Sequence, residues 1–293
     1  FGMRENGIAV LDISVPSNPE FVTSYDIDGD LSDLTVTNDY VYIADMDNGL
    51  VVLEIVPKAV SELPWTYETG DTVMAINIPK NGEFIIAGGW NNNVYMFDKD
   101  SSVPLWNFSD IYGVLSISSD ASSDYIAVGA ADGLYLLNRY GEELWRYDTG
   151  PSSDYVNTVS ISEDGKYIVA NSGDTINLFD KGSNTPLWSF EAQDGVNSLD
   201  ISANGDYIAA GDNRGYAYCF DRNSSTPLWT YILDEPINSV DISADGNYIV
   251  FGSSDKYVYL FTPEDDNPIW RYKTESNVNS VVISSNSEYI SAG

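Results

Sequence analysis

Pro236–Lys273 reads PINSVDISADGNYIVFGSSDKYVYLFTPEDDNPIWRYK, and this stretch organises the chain. Ile237, Val240 and Ile242 belong to a first strand, A. Ser243-Ala244-Asp245-Gly246 supplies turn residues, the glycine being free to take positive φ. Tyr248–Phe251 is a second apolar run, B, and Tyr257–Phe261 an aromatic third, C. Thr262–Pro268 reads as a polar loop before Ile269-Trp270-Arg271-Tyr272, whose alternation of apolar and polar residues marks a half-exposed fourth strand, D. No stretch keeps a 3.6-residue apolar period, so helix is a poor reading.

The same unit recurs along the chain. Complete copies span 30–69, 71–109, 112–148, 155–191, 195–232 and 236–273. Three registers check the alignment. Strand B opens with an aromatic residue at Tyr40, Phe84, Tyr125, Tyr167, Tyr207, Tyr248 and Tyr289. Strand C carries an apolar residue at Leu11, Leu53, Phe97, Leu137, Phe179, Phe220 and Phe261. Strand D carries Trp65, Trp106, Trp145, Trp188, Trp229 and Trp270, with Phe21 in the first copy. Successive tryptophans are 41, 39, 43, 41 and 41 residues apart. Four short strands repeated about every 40 residues predict an all-β, seven-bladed β-propeller forming one domain. Residues 1–25 read as strands C and D, and 277–293 as strands A and B. The expected seventh blade joins the two and closes the ring, which removes an open sheet edge.

Three pieces of sequence resemble known repeats. INSVDISADGNYIVFGSSD, residues 237–255, is similar to the WD-repeat pattern V-x-x-V-x-[FI]-S-x-D-G, with Ile237 in place of the first valine. It departs from that family in having no Gly-His before strand A and no Trp-Asp closing strand C. With no histidine in the chain, the family's Asp-His-Ser-Trp tetrad cannot form. Asp98–Trp106, and the other copies ending in Pro-Leu-Trp, resemble the tryptophan-docking repeats of quinoprotein-type propellers. GIAVLDISVPSNPEF and YVYIADMDNGLVVLEI resemble the LVIVD repeats of bacterial and archaeal surface proteins. The whole resembles propellers of archaeal surface-layer proteins, and that resemblance implies an extracellular or cell-surface location and a binding role. Each tryptophan is expected to pack its blade against the next.

Composition narrows the chemistry. The formal charge is −32 over 293 residues, with 45 acidic and 13 basic side chains. Nucleic acid is excluded as a partner, because phosphate binding needs a basic footprint. No apolar run approaches 18 residues, so no membrane insertion is expected. The single cysteine, Cys219, cannot form an intrachain disulfide and reads as a small core residue. Phe1 is not a natural start, so a processed or excised chain is expected, and no signal peptide is visible. The absence of histidine removes Ser-His-Asp and Cys-His catalysis and histidine-containing zinc sites. Neither a phosphate loop nor the vicinal cysteine pair of quinone enzymes is present. A non-enzymatic protein is expected, with no cofactor. The alternative is a propeller enzyme or calcium-binding module. Its candidate ligands are Asp26, Asp28, Asp30 and Asp33, whose alternating carboxylates suit a hard cation.

Loop charges single out one face. The D–A loops carry Asp26, Asp28 and Asp30, then Glu68, Asp71, Asp110, Asp148, Asp154, Glu191, Asp194, Asp234, Glu235 and Glu275; the B–C loops add Glu5, Asp45, Asp47, Asp132, Asp174, Asp212 and Asp255. Lys58, Lys80, Lys99, Arg139, Lys166, Lys181 and Arg222 fall in A–B and C–D loops instead. The D–A/B–C face is therefore read as an acidic funnel for a protein or glycan. Trp90, in Gly88-Gly89-Trp90-Asn91-Asn92-Asn93, is the one tryptophan outside strand D, and with Asn91, Asn92 and Asn93 it is the candidate anchor there. Asn157, Asn197, Asn238 and Asn279 share one strand-A position and are candidates to line the channel mouth. Asn107 and Asn223 fit the N-glycosylation triplet.

Overall fold

The computed structural model describes residues 65–150, 154–284, 287 and 290–293 in full, with Leu50 and Val51; elsewhere before residue 65 it describes strand positions only. The chain divides into two compact units, Phe1–Val114 and Leu115–Gly293. All described regular structure is β-strand.

In the first unit, Gly2–Met3, Gly7–Asp12 and Glu20–Tyr25 form a three-stranded antiparallel sheet. Leu31–Val36, Tyr40–Asp45 and Gly49–Val56 follow, and the long third strand pairs with both Ala59–Val60 and Trp65–Tyr67. Val73–Asn77, Phe84–Gly89, Val94–Asp98 and Pro104–Phe108 then make a four-stranded sheet in chain order.

The second unit repeats that order four times. Its sheets begin at Val114–Ser119, Val159–Ile161, Val196–Ile201 and Ile237–Ile242. A two-stranded sheet, Val281–Ile283 with Ile290–Ala292, follows. Strands A to D thus stand where the repeat places them. One boundary differs. The fourth strand of the 236–273 copy runs from Asp265 to Lys273, through most of the expected polar loop. Thr262 pairs with Asp265, which leaves Pro263-Glu264 as a two-residue connection. Proline presets φ for such a turn, and the acidic side chains lie on the solvent side of an edge strand, where the ladder tolerates them.

Strands B and C are buried almost throughout, whereas strand D alternates. Each core lies between consecutive sheets. One cluster joins Val169, Ile176 and Leu178 of one copy to Val196, Leu199, Ile208 and Phe220 of the next. Strand B carries glycine at its fifth position because the next strand A must come close. A Cβ on Gly211 would lie 2.3 Å from Cγ2 of Ile237, and one on Gly252 2.7 Å from Cγ1 of Val278.

The Ser-x-Asp-Gly turn between A and B has a mechanism. Buried Ser162, Ser202 and Ser243 accept the backbone N–H of Tyr167, Tyr207 and Tyr248 through Oγ at 3.0, 3.0 and 2.9 Å. Ser162 and Ser243 donate the same hydroxyl to Asp164 and Asp245, and Ser202 donates to Asn204. Gly165, Gly205 and Gly246 take φ of 68°, 71° and 74° to complete it.

Four of the six strand-D tryptophans dock as expected, whereas Trp270 is 40% exposed. Nε1 of Trp65, Trp145 and Trp188 donates to the carbonyls of Lys99, Lys181 and Arg222 at 3.1, 2.8 and 2.7 Å. Trp229 donates to Pro263 at 3.0 Å. The rings lie 5.4, 5.7, 5.4 and 5.0 Å from Phe97, Phe179, Phe220 and Phe261. Every one of these partners belongs to the following copy.

Candidate interaction surface

Trp90 ends strand B of the 71–109 copy and is 40% exposed. Its backbone is held, since its N–H donates to the Thr72 carbonyl at 2.9 Å. The three asparagines after it build the corner. Asn91 Nδ2 donates to the Thr69 carbonyl at 2.8 Å and to the Tyr95 hydroxyl at 3.0 Å. Asn92, at φ 59°, accepts the Gly113 N–H through Oδ1 at 2.9 Å. Asn93 Nδ2 donates to the Asn91 carbonyl at 2.7 Å. These amides tie the corner to the D–A loops on either side of the copy and leave the indole as the group that faces outward. Exposed Glu68, Asp71 and Asp110 belong to those same loops.

The strand-A asparagines act between copies. Asn197 Nδ2 donates to the Ile237 carbonyl at 3.0 Å, and Asn238 Nδ2 to the Val278 carbonyl at 2.9 Å, each about 40 residues on. Asn197 also donates to Asn213 and Asn238 to Ser254. At Asn157 and Asn279 the backbone carries the contacts: Asn157 N–H donates to Asn171 and Asn279 N–H to the Gly293 carbonyl. Asn171 replaces the usual strand-B glycine and takes over the clasp, donating to the Val196 carbonyl at 3.3 Å. Its place in the glycine column is the sequence signal for that role.

Three of the B–C acids fasten their own turns. Asp132, Asp212 and Asp255 accept the hydroxyls of Tyr135, Tyr218 and Tyr259 at 2.8, 2.9 and 2.7 Å. Asp212 is fully buried. Burial, then the neighbouring carboxylate, pushes the Tyr218 and Tyr259 hydroxyls well above the usual phenol range. The exposed acidity of this end therefore comes chiefly from the D–A loops.

Sequence reading missed a carboxylate pair. The outward N–H groups of strand A find acceptors on the preceding copy's strand A. Ser198 Oγ accepts Val240 N–H at 3.0 Å, and Ser239 Oγ accepts Val281 N–H at 3.1 Å. Asp200 and Asp241 accept Ile242 N–H and Ile283 N–H at 2.9 and 2.5 Å. Side chains thus satisfy an edge that would otherwise be unpaired. Ser160 Oγ donates to Asp200 at 2.7 Å. Both carboxyls lie deep in the unit with some solvent access, and their charges act on each other. Burial and then the Asp200 charge push Asp241 up to about 8, and burial raises Asp200 as well. Two carboxyls perturbed in this way are expected to share a proton near neutral pH. Its signal was aspartate at a strand-A position that holds Ser118 and Ser160 in earlier copies.

This pair predicts a pH dependence. Folding raises the pair's affinity for a proton above that of a free carboxyl, about 3.9. Its stabilisation is complete below about pH 4, and it is lost as pH rises through the folded value. Asp241→Asn keeps a donor toward Asp200 and an acceptor for Ile283 and has no charge to develop. The variant is expected to melt above the native protein at pH 9 and to show a flatter Tm–pH curve between pH 5 and 9. Parallel curves in a thermal titration would refute the shared proton.

Cys219 is buried, and burial pushes its thiol up to about 12, followed by the charges of Glu264 and Asp221. It is a core residue, as expected. Asp26, Asp28 and Asp30 lie outside the described residues. Asp33 falls in the strand Leu31–Val36, with its side chain outside them. Among the described residues no group of three or more metal-ligating His, Cys, Asp or Glu side chains comes together.

Blade-like antiparallel sheets, clasped copy to copy by tryptophan and asparagine, define a β-propeller repeat protein. The chain belongs to the family described as outer membrane protein assembly factor BamB, whose model matches residues 22–231. A WD domain, G-beta repeat model matches residues 226–262, and an LVIVD repeat model matches residues 2–27. These are the three repeat types that the sequence resembles. Comparison with curated proteins found no match.

Proposed function

We propose that this protein is a non-enzymatic binding scaffold, displayed at the cell surface or secreted, that holds a protein partner through the Trp90 corner and its acidic rim. The observation that carries the reading is a large aromatic ring, 40% exposed, on a corner whose amides are all bonded inward. A rigid aromatic anchor beside carboxylates suits a partner with an apolar patch edged by basic residues. The description of the matched family names an assembly factor, and the proposal carries an assembly role to this chain. The surface location rests on the resemblance of GIAVLDISVPSNPEF and YVYIADMDNGLVVLEI to repeats of surface proteins.

Affinity capture with the native chain and with Trp90→Ala, from extracts of the cells that make it, tests the proposal. A protein retained by the native chain is expected to bind Trp90→Ala at least about tenfold more weakly, equivalent to the 1–2 kcal/mol of an interface aromatic anchor. Thermal stability should stay within about 0.5 kcal/mol of native, as for other surface substitutions. Equal retention of every partner by the two proteins would overturn the reading. Surface biotinylation of intact cells tests the location.

A further inference from the structure

The residue that follows strand C is basic in four successive copies, Lys99, Arg139, Lys181 and Arg222, and is Pro263 in the next. Its backbone position is constant, because its carbonyl accepts the indole N–H of the preceding copy's tryptophan, from Lys181 through Arg222 to Pro263. Its side chain lies over the tyrosine that opens strand B of that preceding copy. Lys181 Nζ is 4.2 Å from the ring centre of Tyr125 and donates to its hydroxyl at 3.2 Å. The Arg222 guanidinium is 4.9 Å from the ring centre of Tyr167. The protein thus places its own cation on two of these rings.

On Tyr207 the pattern breaks. Pro263 supplies no cation, and Glu264, Asp265 and Asp266 follow it, all exposed. A groove of about 380 Å³ lies there, lined by Tyr207, Leu228, Trp229 and the carboxylates of Asp221, Glu264, Asp265 and Asp266; the matching groove at Tyr125 and Trp145 has Lys181 in its lining. Among the described residues, Asp265 and Asp266 accept hydrogen bonds from the neutral donors of Asn267. Among the described residues no lysine or arginine forms an ion pair with Glu264, Asp265 or Asp266. Burial, then the Glu264 and Asp221 charges, raises the Tyr207 hydroxyl, as negative field at the ring requires.

We infer that this groove receives a lysine or arginine side chain from a partner protein, which completes on Tyr207 the cation–aromatic contact that Lys181 and Arg222 make within the chain. Two sister copies show a cation seated at the equivalent place, so the inference does not rest on the acidic residues alone. The groove lies at the A–B/C–D end of its sheet, in the Leu115–Gly293 unit, and so it is separate from the Trp90 corner.

The probe is the peptide acetyl-Gly-Arg-Gly-amide, titrated into the full chain while the Trp229 indole N–H is followed by NMR, with the citrulline peptide as the neutral isostere. Saturable shifts with the arginine peptide are expected, about two- to fivefold weaker with citrulline, the scale of one exposed cation–aromatic contact. Glu264→Gln with Asp266→Asn should weaken binding at matched ionic strength. Pro263→Arg should weaken it by seating a cation on Tyr207 from within while keeping the native Tm. If Pro263→Arg melts lower, the exposed Gln/Asn pair decides. Equal binding of the citrulline peptide, or binding unaffected by either set of substitutions, would overturn the inference. So would the same shift produced by calcium alone. Trp90→Ala should leave the titration unchanged, so this inference can fail while the proposed function stands, and the reverse.

Discussion

Trp188→Ala is expected to cost about 3 kcal/mol of stability, the lower end of the range for truncating a large aromatic residue, because its ring is half-buried. Trp188 lies on strand D of one copy, and its ring meets Phe220 of the next at 5.4 Å. Its indole N–H reaches the Arg222 carbonyl at 2.7 Å. The truncation therefore opens a cavity between two sheets and strips a donor from a backbone carbonyl. Trp188→Phe separates these effects. It retains a ring against Phe220 and loses the hydrogen bond, for an expected loss of about 1–2 kcal/mol from the bond and the smaller ring. Denaturant unfolding of the two variants measures both. If Trp188→Ala cost less than about 1 kcal/mol, in the range of an ordinary surface change, the docking role would be wrong.

Gly89→Ala is the second large effect. Gly89 sits where the pairing of strands B and A shifts register, just before Trp90. A Cβ there would lie 1.9 Å from the Thr72 carbonyl oxygen and 2.8 Å from the Val73 Cα. Both are backbone atoms, and neither can rotate away. The strand must move, with an expected cost of about 3 kcal/mol, the upper part of the overpacking range. Gly82→Ala is the control. Gly82 has φ of 65° with nothing within 4 Å of its Cβ position, so only the left-handed backbone opposes alanine, at about 1 kcal/mol. Comparable costs for the two would mean that close approach is not what Gly89 provides. The Trp90 corner should also loosen in Gly89→Ala, because the Trp90 N–H bonds to that same Thr72 carbonyl.

The candidate sites were legible to different degrees. Trp90 stood out because every other tryptophan keeps to strand D, and the structure leaves it exposed. Its three asparagines looked like part of the same surface, but their amides point back into the corner. The strand-A asparagines formed a clear column in the sequence, yet a column reports only a shared environment. Donation from Asn197 and Asn238 to carbonyls of the next copy makes that environment a joint between sheets. Asp212 counted toward the acidic face on paper and is buried beneath it, because two backbone N–H groups and a tyrosine hydroxyl converge on its carboxylate.

What could be read from residues alone was the repeat: its length, its four strands, and the aromatic and glycine columns. Those features are local. Alternation sets which face of a strand is buried, and turn chemistry sets where the strand ends. Contacts between copies were a different matter. Asp200 and Asp241 are 41 residues apart and their carboxyls act on each other because adjacent strands A lie side by side. Pro263 is one turn residue among many until the fold sets it on Tyr207, where earlier copies set a cation. Packing creates such neighbours, and linear spacing does not encode the distance between them.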